Sequence, residues 1–217
     1  SPNAGNPQKV QRYPIEWARA LRKMATLGAE FLLPGHGVPV VGADRIKTAL
    51  LDTASLLESL HEQTVAMMNE GARLDEIIHS VKAPAELLEK PYLRPVYDEP
   101  EFVVRNVWRL YGGWYDGNPA SLKPAPDAAV ASELAMLAGG ASVLADRAAA
   151  LAATGDDGSL RLAGNLAEIA ALAAPDDAGV HKVRAEVFGA RAEFESSTMA
   201  KGVFAWAASE SKKKADE

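Results

Sequence analysis

The sequence is informative first through what it lacks. Its 217 residues include no cysteine, which excludes disulfide bonds, thiolate metal ligands and cysteine nucleophiles. The 23 Lys and Arg are outnumbered by 29 Asp and Glu, and the net charge of −6 argues against a nucleic-acid-binding face. No apolar run approaches the roughly 20 residues that a membrane-spanning helix needs. We therefore expect no nucleic-acid partner and no membrane span.

The beginning of the chain carries no targeting signal that we recognise. Ser1 to Arg12 are polar and contain no apolar signal-peptide core. An initiator methionine is also missing, so we expect a fragment of a longer protein. The sequence leaves the compartment open, whether cytoplasmic or exported.

The first 43 residues have the pattern of a helix, a strand and a loop. Pro14 suits the first turn of a helix, and apolar residues then recur at helical spacing up to the stop at Gly28. The apolar run Phe31–Leu33 predicts a short buried strand. Pro34-Gly35-His36-Gly37 follows it, so the histidine is expected on a tight loop at the carboxyl end of that strand.

Most of the remaining chain is predicted to be helical, so the fold class is mainly α. An apolar stripe predicts one long helix from Asp44 to Asn69, and a short helix follows over 74–81. A helix is also predicted over 101–115. The alanine-rich remainder predicts further helices, which are listed here with their bounds: 127–154 with a break near Gly139-Gly140, 160–173, 178–196, and 198 to about 209.

Two segments are not expected to be regular. Four prolines between Pro84 and Pro100 predict an irregular arm with one helical turn near 85–89, and this arm carries Tyr97. Asp98 and Glu99 at its end are the one candidate for a pair of carboxylates, and they could as easily cap the next helix through its dipole. The charged residues 210–217 are predicted to form a disordered tail.

Four histidines are the main candidates for chemistry. His36 has the best context, although a lone Gly-His-Gly more often marks an ordinary turn. His61 lies on or beside the apolar stripe of the long helix and is expected to be packed or at an interface. His79 and His181 fall on predicted surface helices. No two histidines are close enough in sequence to form a local metal pair.

Several strings together resemble a known family. Leu33–Gly37 looks like the last metal-ligand motif of the metallo-β-lactamase fold. The run YDEPEFVVRNVWRLYGGWYDGNP over 97–119 resembles the alkylsulfatase branch of that superfamily, as do the opening PNAGNPQKVQRYP and MAKGVF over 199–204. YGGWYDGNP is the specific part of this match, whereas GHG alone is not.

The resemblance implies that the chain consists of three consecutive regions. Residues 1–43 would be the end of a metallo-β-lactamase-like domain, 44–209 an all-helical dimerisation domain, and 210–217 the tail. His36 would be one ligand of a binuclear zinc site, whose His-x-His-x-Asp-His motif is missing here. Tyr97 is a candidate to line the entrance for the alkyl chain, although proline-rich segments such as the arm that carries it are more often simple connectors.

The function implied is that of part of a zinc-dependent alkylsulfatase, a sulfuric ester hydrolase that acts as a homodimer and converts alkyl sulfates to alcohol and sulfate. The fragment alone is expected to be inactive, since only one metal ligand is present. Two alternatives stay open. The chain could be a non-enzymatic helical dimerisation module, or it could belong to another metallo-β-lactamase-fold hydrolase.

Overall fold

The computed structural model describes residues 2–217, which divide into two compact units. The first unit ends at Leu122 and the second runs from Lys123 to Glu217. The first contains α1 (Pro14–Ala25), β1 (Phe31–Leu32), β2 (Val40–Val41), α2 (Ala43–Asn69), α3 (Leu74–Ser80), α4 (Ala85–Leu88), α5 (Pro100–Gly112) and α6 (Pro119–Leu122). The second contains α7 (Asp127–Ala138), α8 (Ala141–Ala152), α9 (Asp157–Ala173), α10 (Ala178–Phe194) and α11 (Thr198–Ala215). The predicted mainly α class is confirmed.

The core of the first unit is built around the long helix α2. Its apolar stripe packs against α1 on one side and α5 on the other. Most buried residues of α2 recur at the helical spacing that the sequence predicted, and they are Ile46, Leu50, Ala54, Leu57, Leu60 and Thr64. Leu56 is also buried, beside this stripe. The Arg22 guanidinium on α1 pairs with the Glu58 carboxylate on α2, with its Nε 2.6 Å from Oε1.

The predicted buried strand forms, but it is largely exposed. β1 pairs antiparallel with β2 in a two-stranded hairpin, with Phe31 opposite Val41 and Leu32 opposite Val40. Because side chains alternate along a strand, Leu32 and Val40 pack on the core while their neighbours point outward. Phe31 is 69% exposed and Leu33, just beyond the strand, is 77% exposed. No other strand of the described chain covers them.

The second unit is a set of paired helices with small residues between them. α8 packs on α9 and α10 on α11, while α7 lies against α8 and α9. Three helix starts are capped by a side chain that accepts a backbone N–H: Asp156 at α9, Asp177 at α10 and Ser197 at α11. Within residues 2–217 no single helix is long and apolar enough to cross a membrane. Taken together, α7 and α8 meet the criteria of length and composition, but the two helices are bent by 85° relative to each other.

The end of the chain differs from the prediction of a disordered tail over 210–217. α11 continues to Ala215, several residues beyond the expected end near 209. Ser211 is buried and accepts a hydrogen bond from Arg184 Nη1 at 2.7 Å, which fixes this part of the helix. The basic residues of its last turn also interact favourably with the helix dipole. The domain boundary at 43/44 stays a prediction, and the division into compact units lies elsewhere, after Leu122.

Candidate functional site

His36 lies where the sequence placed it, in the loop that joins β1 to β2. It is exposed, as are its two glycine neighbours. Gly37 has φ +98°, a left-handed conformation that favours glycine, and a side chain at Gly35 would meet nothing within 4 Å. The loop therefore presents an uncrowded imidazole to the surroundings.

The rest of a metal site is not assembled around this histidine. Across residues 2–217, no three His, Cys, Asp or Glu side chains come together as a possible ligand set. A catalytic zinc in a protein usually takes three ligands from side chains. His36 fits the chemistry of one such ligand, so any complete site needs donors from outside the described chain.

Tyr97 is exposed on the proline-rich arm, which a cluster of polar residues ties to α2. Asp52 Oδ2 accepts a hydrogen bond from the Tyr92 hydroxyl at 2.5 Å and forms an ion pair with Lys90 Nζ at 2.7 Å. Burial and the bond to Asp52 raise the pKa of Tyr92 to about 12. Burial acts to raise the pKa of Asp52, but its bonds to Lys90 and Tyr92 prevail and lower it. We call the contacts of Asp52 with Lys90 and Tyr92 the latch. Sequence patterns did not indicate it, because Asp52 and Tyr92 are 40 positions apart.

His61 is packed between helices, as expected. Its Nε2 lies 2.9 Å from the Tyr111 hydroxyl of α5, and the two rings meet edge to face. The other ring nitrogen, Nδ1, is enclosed and has no hydrogen-bond partner among residues 2–217. Burial lowers the pKa of His61, so the neutral ring is favoured at this position.

Asp98 has a different role from the predicted helix cap. It is fully buried, and its Oδ2 accepts the Gly5 N–H at 2.6 Å while its Oδ1 accepts the Glu99 N–H at 2.9 Å. Burial raises its pKa even though these two N–H groups act in the opposite direction. The carboxyl group therefore anchors the segment before α1 to the start of α5.

His181 is buried, so its placement on a surface helix was wrong. Its Nε2 lies 2.8 Å from the Pro175 carbonyl oxygen, which can only accept, so this nitrogen carries the proton. Its Nδ1 lies 3.3 Å from Ser211 Oγ. Arg184 also donates to Ser211 and pairs with Glu168 at 2.7 Å. These buried polar groups therefore have hydrogen-bond partners in one another, and together they link α9, α10 and α11.

The architecture defines a mainly α protein whose second unit is built from paired helices. Residues 73–214 match the family model described as "Alkyl sulfatase dimerisation". The match covers more than half of the sequence, and the chain belongs to this family.

Individual relatives carry related names. The chain is 37% identical over 130 residues to a linear primary-alkylsulfatase of Pseudomonas sp. (strain ATCC 19151), which is 59% of this chain and 25% of that protein. It is 35% identical over 128 residues to an (R)-specific secondary-alkylsulfatase of Pseudomonas sp., which is 58% of this chain and 19% of that protein. The solved structure of the stereoselective inverting sec-alkylsulfatase Pisa1 from Pseudomonas sp. matches with a TM-score of 0.87 and 27% identity, over 97% of this chain and 33% of that one. The chain thus spans about a third or less of the length of these relatives.

Proposed function

We propose that this chain is part of a zinc-dependent alkylsulfatase that hydrolyses alkyl sulfate esters to alcohol and sulfate, and that it supplies a homodimer interface and one metal ligand. The likeness to Pisa1, at a TM-score of 0.87 over 97% of the chain, is the observation that carries this proposal. This coverage leaves out only about 3% of the chain, so the likeness extends beyond the helical part to most of the segment that precedes α2.

His36 is proposed as one ligand of a binuclear zinc site in the complete enzyme. An imidazole binds zinc through a neutral ring nitrogen, and His36 is exposed between two residues that have no side chain. When bound, zinc lowers the pKa of a coordinated water and so supplies hydroxide near neutral pH. The role of this chain would be to hold the imidazole of His36 at the end of β1, where the β1–β2 hairpin fixes both ends of the loop.

The exposed face of the hairpin supports a larger assembly around His36. Phe31, Leu33 and Val38 are large apolar residues that surround the loop and point into solvent. A hairpin of two-residue strands is marginal on its own and needs further strands or helices to cover its apolar face. We therefore propose that the remainder of a metallo-β-lactamase-like domain packs here and brings the other ligands.

Tyr97 is proposed to line the entrance for the alkyl chain. The latch from Asp52 to Lys90 and Tyr92 fixes the middle of the arm a few residues before Tyr97. An exposed aromatic ring on a braced segment can contact an alkyl chain with little loss of conformational entropy. If the arm is merely a connector, Tyr97 has no such contact.

The metal role is tested in the full-length protein by comparing His36→Ala with His79→Ala. His79 is the matched control because it is another exposed histidine, on α3. We expect His36→Ala to reduce bound zinc and to slow sulfate release from an alkyl sulfate by at least about 100-fold, while His79→Ala changes neither. Unchanged zinc content and activity in His36→Ala would exclude His36 as a ligand.

The substrate role is tested with alkyl sulfates of increasing chain length. We expect Tyr97→Ala to raise KM for long chains more than for short ones, because only long chains reach the arm. Tyr13→Ala is the control, since Tyr13 is exposed to a similar extent outside the arm. Equal KM effects at all chain lengths would favour the connector.

A non-enzymatic dimerisation module is the second candidate, because the description of the matched family names dimerisation as the role of this region. This candidate is distinguished by a full-length protein that forms dimers without zinc and releases no sulfate from any alkyl sulfate tested.

A further inference from the structure

Helix α7 has its larger apolar side chains on the outside. Only Ala131 and Ala135 of its twelve residues are buried. Val130, Leu134 and Leu137, which we call the α7 stripe, are 45%, 40% and 79% exposed. They follow one another at intervals of four and three residues, so they lie along one flank of the helix.

The α7 stripe has the character of a protein interface. Val130, Leu134 and Leu137 lie one above the other and form a contiguous apolar strip, and contiguous apolar patches often belong to interfaces when they are part of a larger surface. The helix carries no basic residue, and its acidic residues are Asp127 at its start and Glu133. Glu133 lies three residues after Val130 and four before Leu137, so it borders the stripe, whereas the three stripe positions themselves are apolar.

The spacing of the stripe is self-complementary. In an antiparallel pair of α7 helices with Leu134 opposite the same residue of a second copy, Val130 comes within one residue, about 1.5 Å along the axis, of the position opposite the partner's Leu137. The reverse contact follows by symmetry, as in any two-fold interface. A second copy of this chain thus offers the stripe a matching surface.

We infer that the α7 stripe is the centre of the homodimer contact, with α7 of one protomer packed antiparallel against α7 of its partner. This inference rests on the homodimer part of the proposed function, and α7 lies within the residues that match the dimerisation family. A helix of three turns, about 18 Å long, supplies only part of the roughly 800 Å² per partner that stable interfaces bury. Neighbouring surface completes the contact around the stripe.

The first experiment measures the mass of the 217-residue chain in solution by light scattering across a concentration series. Leu134→Glu is compared with Met136→Glu, because Met136 lies on the same helix, is 67% exposed and is outside the stripe. We expect Leu134→Glu to weaken dimerisation by about 30-fold or more, as for a residue at the centre of an interface. Met136→Glu should leave the dimer unchanged, and circular dichroism verifies that both variants are folded.

The second experiment detects the contact directly and does not depend on weakening the dimer. Because the chain has no cysteine, Leu134→Cys introduces a single thiol. Packed helices lie 8 to 10 Å apart, so a short bis-maleimide should join two copies at this position. Met136→Cys is the control and should give no cross-linked dimer. Mixing Leu134→Glu with Leu134→Lys should restore association, since the two charges meet only when residue 134 faces its twin.

The outcomes separate this inference from the proposed function. A wild-type dimer that persists in Leu134→Glu and gives no cross-link at position 134 overturns the α7 contact but leaves the homodimer standing. A wild-type chain that is monomeric at high micromolar concentration overturns both the contact and the homodimer. Neither result bears on sulfate release, which is measured separately in the full-length protein.

Discussion

Replacing Gly5 by alanine is expected to destabilise the first unit strongly. The Gly5 N–H donates to the buried carboxylate of Asp98 at 2.6 Å. A Cβ at this position would lie 2.1 Å from the carbonyl carbon of Phe102 and 2.2 Å from the backbone nitrogen of Val103. Both atoms belong to the backbone of α5, so no side-chain rotation can relieve the contact.

The size of the effect follows from these distances. Carbon atoms pack at about 3.5 to 4.0 Å, so the segment before α1 has to move by more than 1 Å from α5. Overpacking of this kind costs about 1 to 3 kcal/mol. The movement also breaks the bond to Asp98, and a buried polar group left unsatisfied costs about 1 to 3 kcal/mol. We expect Gly5→Ala to lower the free energy of unfolding by about 3 kcal/mol or more.

Urea unfolding followed by tryptophan fluorescence measures this loss. Trp206 is the one tryptophan of the second unit, so a Trp206→Phe background makes the signal report the first unit. Gly35→Ala in the β1–β2 loop of the first unit is the control, because its new Cβ meets nothing within 4 Å. Replacing glycine by alanine where the backbone tolerates it should stabilise by about 0.4 to 1 kcal/mol, the opposite sign. A loss below about 1 kcal/mol in Gly5→Ala would refute the reasoning from close approach.

Three further predictions rest on single contacts. Asp52→Asn should lower the pKa of Tyr92 from about 12 toward its ordinary value near 10, measured by ultraviolet titration, and an unchanged pKa would contradict the latch. Because the pKa of His61 is lowered in the folded state, the unfolded chain binds the proton first, so wild-type stability should fall as pH drops below about 6.5. His61→Gln should remove this part of the fall between pH 7.5 and 5.5 in urea unfolding, and an identical pH dependence would argue against it. Ser197→Ala should cost about 1 kcal/mol through loss of the cap on Ala200 N–H, and thermal unfolding of the second unit at an unchanged midpoint would show that the cap is idle.

The helices and their ends were largely predictable because their signals are local. The apolar stripe set α2 almost to the residue, and Gly139-Gly140 separates α7 from α8 as expected. The His36 loop was also predictable, since a strand followed by a Gly-rich turn needs only neighbouring residues. Its role as a ligand stays a prediction, because the partners of a metal ligand are set by parts of a fold that are distant in sequence.

The buried polar contacts were not predictable, for the complementary reason. Asp98 meets Gly5 across 93 positions, and His181 meets Ser211 across 30. Nothing in the residues next to Asp98 distinguishes a helix cap from an anchor for a distant segment. His181 was placed at the surface because the helix that carries it was predicted to be a surface helix, whereas the packing of α11 against α10 covers it.

In the second unit the buried residues are mostly alanine, whereas several larger apolar residues lie at the surface. Its cores consist mostly of alanine, including Ala148, Ala163 and Ala167. Small side chains allow helices to approach closely, so Ala131 and Ala135 provide the inner face of α7. The leucines of the same helix are then left over for the outside. A pattern that weights residues by hydrophobicity cannot reveal this, because it assigns the largest apolar residues to the core. Alanine would favour the helix at these exposed positions at least as well as leucine, so the leucines are better explained by a second apolar surface that closes on them.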